Sequence, residues 1–137
     1  MGWEVKHEPH KDWVAVKASG TIQNEDAKAQ AAKVICLLKK HKAARVLVDY
    51  AKALSEVSLP EVCWLANQAT LQDAPWHLRL ALVLPVTHYR LDSYQFFELV
   101  FRSAGYEVKL FEKREGAARW LAQTPQCHKR GAHLAHA

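Results

Sequence analysis

The residues best placed to do chemistry gather around one stretch of the chain. Arg45-Val46-Leu47-Val48-Asp49-Tyr50 reads as a buried strand that ends in a carboxylate and a phenol, and a polar loop leads from it to Ser58-Leu59-Pro60-Glu61, the start of a helix. Ser55, Glu56 and Ser58 add two hydroxyls and an acid to that loop. In open α/β sheets, binding sites form at the carboxyl ends of strands, so this edge is the first place to look. Asp49 reads in two ways: as a contact to a ligand or partner, or as an acceptor for backbone N–H groups of its own loop. The second is favoured, because no set of acid, base and nucleophile surrounds it. Ser58 also has two readings. A phosphate there would sit at a helix N-terminus, where negative charge is stabilised. Alternatively Ser58 caps the helix and Ser55 is solvated, and the Ser-x-x-Glu capping box favours that.

Other reaction classes find little support. No Gly-x-Ser-x-Gly elbow and no glycine-rich loop before a helix occurs, so neither nucleophilic catalysis nor nucleotide binding is indicated. Cys36 and Cys63 fall on helix faces expected to be buried, and three widely spaced cysteines fit reduced thiols rather than a disulfide frame or a zinc knuckle. Cys127-His128, His133 and His136 match no structural zinc spacing, so no physiological metal and no cofactor is expected. Trp64 and Phe96 lie off the main apolar stripes of their helices and could line a small-ligand pocket or a dimer surface.

The totals narrow the setting. The chain has 137 residues, half of them hydrophobic and a quarter charged, as in an ordinary globule. No run of roughly 18 apolar residues suggests a membrane span, and Met1-Gly2-Trp3-Glu4 lacks the layout of a signal peptide, so a cytoplasmic location is expected. The net charge of +5 hints at nucleic acid. From Thr124 onward, however, Lys129 and Arg130 stand without acids, which leaves 17 basic against 14 acidic residues before that point. Those are interleaved, and no nucleic-acid motif is present, so no nucleic-acid partner is expected.

The elements that must position these residues follow from periodicity. Alternation at Trp3–His7 and from Trp13 to Ser19 predicts an antiparallel hairpin with a loop of about five residues. Asn24 reads as the N-cap of a helix whose first turn holds Glu25 and Asp26, whose apolar face is Ala27, Ala31, Val34, Ile35 and Leu38, and whose end is basic. Val46-Leu47-Val48 suits a strand covered on both faces. Leu59, Val62, Cys63, Ala66 and Ala69 predict the buried side of a second helix, and Arg79 to Leu84 the next strand. Leu91 to Ala104 predicts a third helix, with Glu98 and Arg102 able to pair and Gly105 as its C-terminal cap. Glu107 to Phe111 alternates as a strand near a sheet edge, and Ala117, Trp120 and Leu121 mark a last helix. The order is β-β-α-β-α-β-α-β-α. It demands a single-domain α/β fold over residues 1–123, a mostly parallel sheet with one antiparallel strand, followed by a loose His-containing tail at 124–137.

This order, the Gly20-Thr21-Ile22 turn before an acidic helix start, the Val46-Leu47-Val48-Asp49 strand, and the closing Tyr106-Glu107-Val108-Lys109-Leu110-Phe111 strand with its Trp120-Leu121 helix together resemble the SpoIIAA-like branch of the STAS superfamily over roughly residues 3 to 122. The resemblance implies a small bacterial, non-enzymatic regulatory module that binds a partner, with Asp49, Tyr50, Ser55, Glu56 and Ser58 on the binding edge. It also implies a serine, switched by phosphorylation, at the helix start after the third strand. Ser58 is the nearest equivalent, although Leu59 and Pro60 replace the Asp-Ser-x-Gly pattern of the switch. An apolar-ligand role is implied too, through the branch's similarity to lipid-transfer domains. Two functions are therefore carried forward: a protein-interaction module, with another protein or a second copy as partner, and a carrier or sensor of a small apolar or anionic ligand near Trp64 and Phe96.

Overall fold

The hairpin predicted at the N-terminus is formed by β1 (Gly2–Glu8) and β2 (Trp13–Ile22), antiparallel and in register from Gly2 with Ser19 to Glu8 with Trp13. The computed structural model describes residues 2–87 and 90–123; the tail expected from Thr124, with Cys127 and its histidines, lies outside them. The four-residue hairpin loop closes with Asp12 at φ 56°, its N–H bonded to the Glu8 carbonyl at 2.8 Å.

The remaining elements are α1 (Asn24–His41), β3 (Arg45–Ser55), α2 (Leu59–Leu71), β4 (Arg79–Val83), α3 (Leu91–Ser103), β5 (Glu107–Phe111) and α4 (Arg114–Ala122). The strands lie in the order β1-β2-β3-β4-β5, and β2 through β5 are parallel. Because the sheet grows in one direction, right-handed crossovers put α1, α2 and α3 on the same face. There Val14, Val16, Val46, Leu80, Leu82 and Val108 pack against Leu38, Val62, Leu65 and Phe101. The other face holds a smaller core, in which Ala117 and Leu121 of α4 cover Trp13, Ala15, Leu47, Ala81 and Val83.

Two arginines at the amino ends of adjacent strands hold the carboxyl end of α4. Arg45 donates to the Leu121 carbonyl at 2.8 Å, and Arg79 to the Gln123 carbonyl at 3.0 Å. Arg79 is buried, lies 4.1 Å over the Trp120 ring and has its Nε 3.1 Å from Glu107 Oε1. Positive charge at a helix C-terminus is stabilising, so this clamp sets the position of α4 on the sheet.

Several local expectations change. The N-cap of α1 is Gln23, not Asn24: the Gln23 N–H donates to Asp26 Oδ2 at 2.8 Å. Asn24 is used elsewhere, as described below. Cys36 and Cys63 are exposed free thiols, and Leu59 is exposed as well. Their helices face the core through Ile35 and Leu38 and through Val62, Leu65, Ala66 and Ala69. The third strand is also longer than expected. It continues past Tyr50 to Ser55, so only Glu56, Val57 and Ser58 connect it to α2.

Candidate functional site

The carboxyl half of β3 is shaped by one extra residue. Lys17 pairs with Asp49 and Ser19 with Lys52, so β2 advances two residues where β3 advances three. Such a bulge leaves a backbone group without its ladder partner. Asp49 fills the gap: its Oδ1 accepts from the Ala51 N–H at 3.1 Å, while its Oδ2 accepts from Arg114 at 3.2 Å. The carboxylate thus serves the backbone, as one of its two sequence readings held, but inside a strand rather than a loop. Arg114, the first residue of α4, had no signal in the sequence.

The bulge also reverses the facing of the strand. Val46 and Tyr50 point toward the three helices before it and Ala53 after it. Since side chains alternate, Leu54 turns to the opposite face and stands 41% exposed. Ser55 is buried and accepts from the Val57 N–H through its Oγ at 3.3 Å, so it is not the solvated hydroxyl expected.

Tyr50 is buried and donates its hydroxyl to Gln30 Oε1 of α1 at 2.5 Å. Burial, then the neighbouring Tyr94 ring edge, push its phenol well above the ordinary range, partly opposed by the Gln30 bond. Gln30 lay on the apolar stripe of α1 between Ala27 and Ala31. A polar residue at a core-facing position was the signal that could have singled it out.

Ser58 caps α2. Its Oγ accepts from the Glu61 N–H at 3.2 Å. The reciprocal half of the box is supplied by Asn24 rather than Glu61: Asn24 Oδ1 accepts from the Ser58 N–H at 3.0 Å and ties the start of α1 to the start of α2. Glu61 is buried beside it, with Oε1 3.9 Å from Lys28 Nζ, and Lys28 also lies 5.0 Å over the Trp64 ring. Glu56, Leu59 and Trp64 are exposed around this junction.

Phe96 packs half-buried against the main core. Neither it nor Trp64 lines the apolar cavity, which lies deeper, between the sheet and α1, α2 and α3, and has a volume of about 150 Å3. Gln30, Tyr50 and Ser55 reach it from the polar side. The structure therefore brings Tyr50 and Ser55 together at the cavity, places Glu56 and Ser58 at the rim of the sheet, and commits Asp49 to α4. Among the described residues, no three His, Cys, Asp or Glu side chains gather as a metal site would require, and no helix is long and apolar enough to cross a membrane.

A five-stranded mixed sheet with one antiparallel edge strand, three helices on one face and a closing helix on the other is a SpoIIAA-like fold. The solved structure of an uncharacterized protein of the DUF3478 family with a SpoIIAA-like fold, from Shewanella loihica PV-4, matches with a TM-score of 0.59 at 22% identity, covering 88% of this chain and 94% of that one. No protein-family model matches the chain, and no curated protein matches it.

Proposed function

We propose that this domain is a non-enzymatic regulatory module that binds a protein partner through the carboxyl edge of its sheet. The observation that carries this reading is the set of large apolar side chains exposed about the β3–α2 junction. Leu59 and Trp64 of α2 are 43% and 42% exposed there, and Leu54, 41% exposed, lies at the end of β3 on the other face of the sheet. Lys28 lies 5.0 Å over the Trp64 ring, and Lys52 and Glu56 are exposed on the adjoining chain. Exposed apolar side chains rimmed by charge are what a protein partner buries.

The reactive side chains of the same region support binding over catalysis, since each is already engaged. Asp49 holds the bulge and Arg114, Tyr50 holds Gln30, and Ser58 caps its helix. The Ser58 hydroxyl already serves the helix by accepting from the Glu61 N–H, so constitutive binding is the simpler mode. The partner is another protein or a second copy of this chain. The free thiols of Cys36 and Cys63 suit a reducing cytoplasm.

The test is quantitative binding to a partner isolated by crosslinking in the source cell, with Leu59→Asp and Glu56→Lys as probes. Both positions are exposed, so the variants should keep the wild-type circular dichroism spectrum and Tm. Each is expected to weaken the complex at least tenfold. A partner held with unchanged Kd by both variants eliminates this edge as the interface. Asp49 is unsuitable as a probe, because its reversal would break the Arg114 pair.

A further inference from the structure

The cavity behind Tyr50 has features of a binding site that packing alone does not call for. Protein interiors are close-packed, with few voids larger than a water molecule, yet a partly open space of about 150 Å3 remains between the sheet and the three helices. A space of that volume admits a molecule the size of benzene. Its walls include Val16, Leu38, Val62, Leu65, Leu82 and Phe101, and none of its lining residues is charged. Ala31, Val34, Ala74, Ser93 and Phe97 line it while remaining only half-buried, and the space is partly open to solvent.

The amide of Gln30 reaches this space with one end unused. Gln30 is 5% exposed, and its Oε1 is taken by the Tyr50 hydroxyl. With Oε1 accepting from Tyr50, the Nε2 donor is the other end of the amide. Gln30 Nε2 has no hydrogen-bond partner among the described residues. A buried donor without a partner is costly to keep, and the Tyr50 bond favours the amide orientation that leaves it so.

We propose that the cavity is a binding site for a small, neutral, largely apolar molecule whose single carbonyl-type oxygen accepts the hydrogen bond of Gln30 Nε2. A carboxylate is unfavourable, since no cation lines the walls to balance it. The volume limits the ligand to roughly six to ten non-hydrogen atoms, by comparison with a benzene-sized guest. The proposal is independent of the partner surface at the sheet edge.

The experiment titrates the full chain by calorimetry with three shape-matched probes: acetophenone, ethylbenzene and benzoate. Acetophenone should bind saturably and roughly two- to tenfold more tightly than ethylbenzene, the worth of one hydrogen bond, while benzoate should bind least. Gln30→Met should erase the preference for the ketone. Because that variant also deprives Tyr50 of its acceptor, Ala69→Leu serves as a second probe: it fills the cavity without touching Gln30 and should abolish binding of both neutral compounds. Equal affinity for acetophenone and ethylbenzene in the wild type overturns the proposal, as does benzoate binding as tightly as the ketone. Absence of acetophenone binding, with a crystal structure showing water bonded to Gln30 Nε2, would assign the space to structural solvent instead.

Discussion

At the scale of single residues, Ser58 and Asp49 are the instructive pair. The capping role of Ser58 was legible because it depends on a neighbour three residues away, and the Glu61 N–H does bond to its Oγ. Ser58→Ala should therefore cost about 1 kcal/mol, the usual worth of a side-chain N-cap, measured as a lower midpoint in urea with an unchanged slope. A Ser58→Asp variant, which restores an acceptor, should recover most of that loss. Asp49 was legible only as an acceptor. Its second partner, Arg114, is 65 residues distant, and no local pattern announces such a pair. Gln30 and Tyr50, 20 residues apart, make the same point: each alone is an ordinary polar residue, and together they fix a buried hydrogen bond.

At the scale of elements, three helices end in the same manner, and the sequence revealed it for one of them. After α3 the Tyr106 N–H bonds to the Phe101 carbonyl and the Gly105 N–H to that of Arg102, with Gly105 at φ 103°. The same paired bonds close α1 at Lys42, φ 52°, and α2 at Asp73, φ 59°. Glycine is the usual residue at such a turn because it has no Cβ to clash. Gly105 was therefore visible, whereas Lys42 and Asp73 were not. A Cβ added at Gly105 would meet nothing within 4 Å, so Gly105→Ala should cost only the left-handed backbone strain, roughly 1–2 kcal/mol. The converse change, Lys42→Gly, relieves that strain and should stabilise by about 0.5 kcal/mol after the added chain entropy is deducted. Thermal unfolding of the two variants should move Tm in opposite directions. The length of β3 was hidden for a related reason. The bulge interrupts strict alternation after Asp49, so its carboxyl half reads locally as a polar loop although it pairs with β2 as far as Ser55.

At the scale of the whole molecule, two groups link stability to pH. His41, at the end of α1, stacks on His7 of β1 with ring centroids 3.8 Å apart. Desolvation of the ring, then repulsion from His7 and Lys40, hold its pKa below the ordinary 6.5 against the opposing pull of Asp12. The unfolded chain therefore takes up this proton more readily than the folded one. The His41 contribution is present above about pH 6.5 and is lost as pH falls through the lower folded value. Tyr50 acts at the other limit. Its raised pKa keeps it neutral in the fold while the unfolded phenol ionises from about pH 10, so its contribution is present below that pH and is lost above it. Tm recorded against pH should fall on both sides. His41→Gln should flatten the acid limb, and an undiminished limb in that variant would assign it to carboxylates. Periodicity, caps and breakers act between neighbours in sequence, and so the sequence by itself determined the order of nine elements, the parallel crossovers and the cap at Ser58. Tertiary structure alone decided which side chains meet across the sheet. It set the bulge that keeps Tyr50 and Ser55 facing the helices, the Asp49–Arg114 pair and the cavity under Gln30, because these depend on distances between elements that local patterns do not encode.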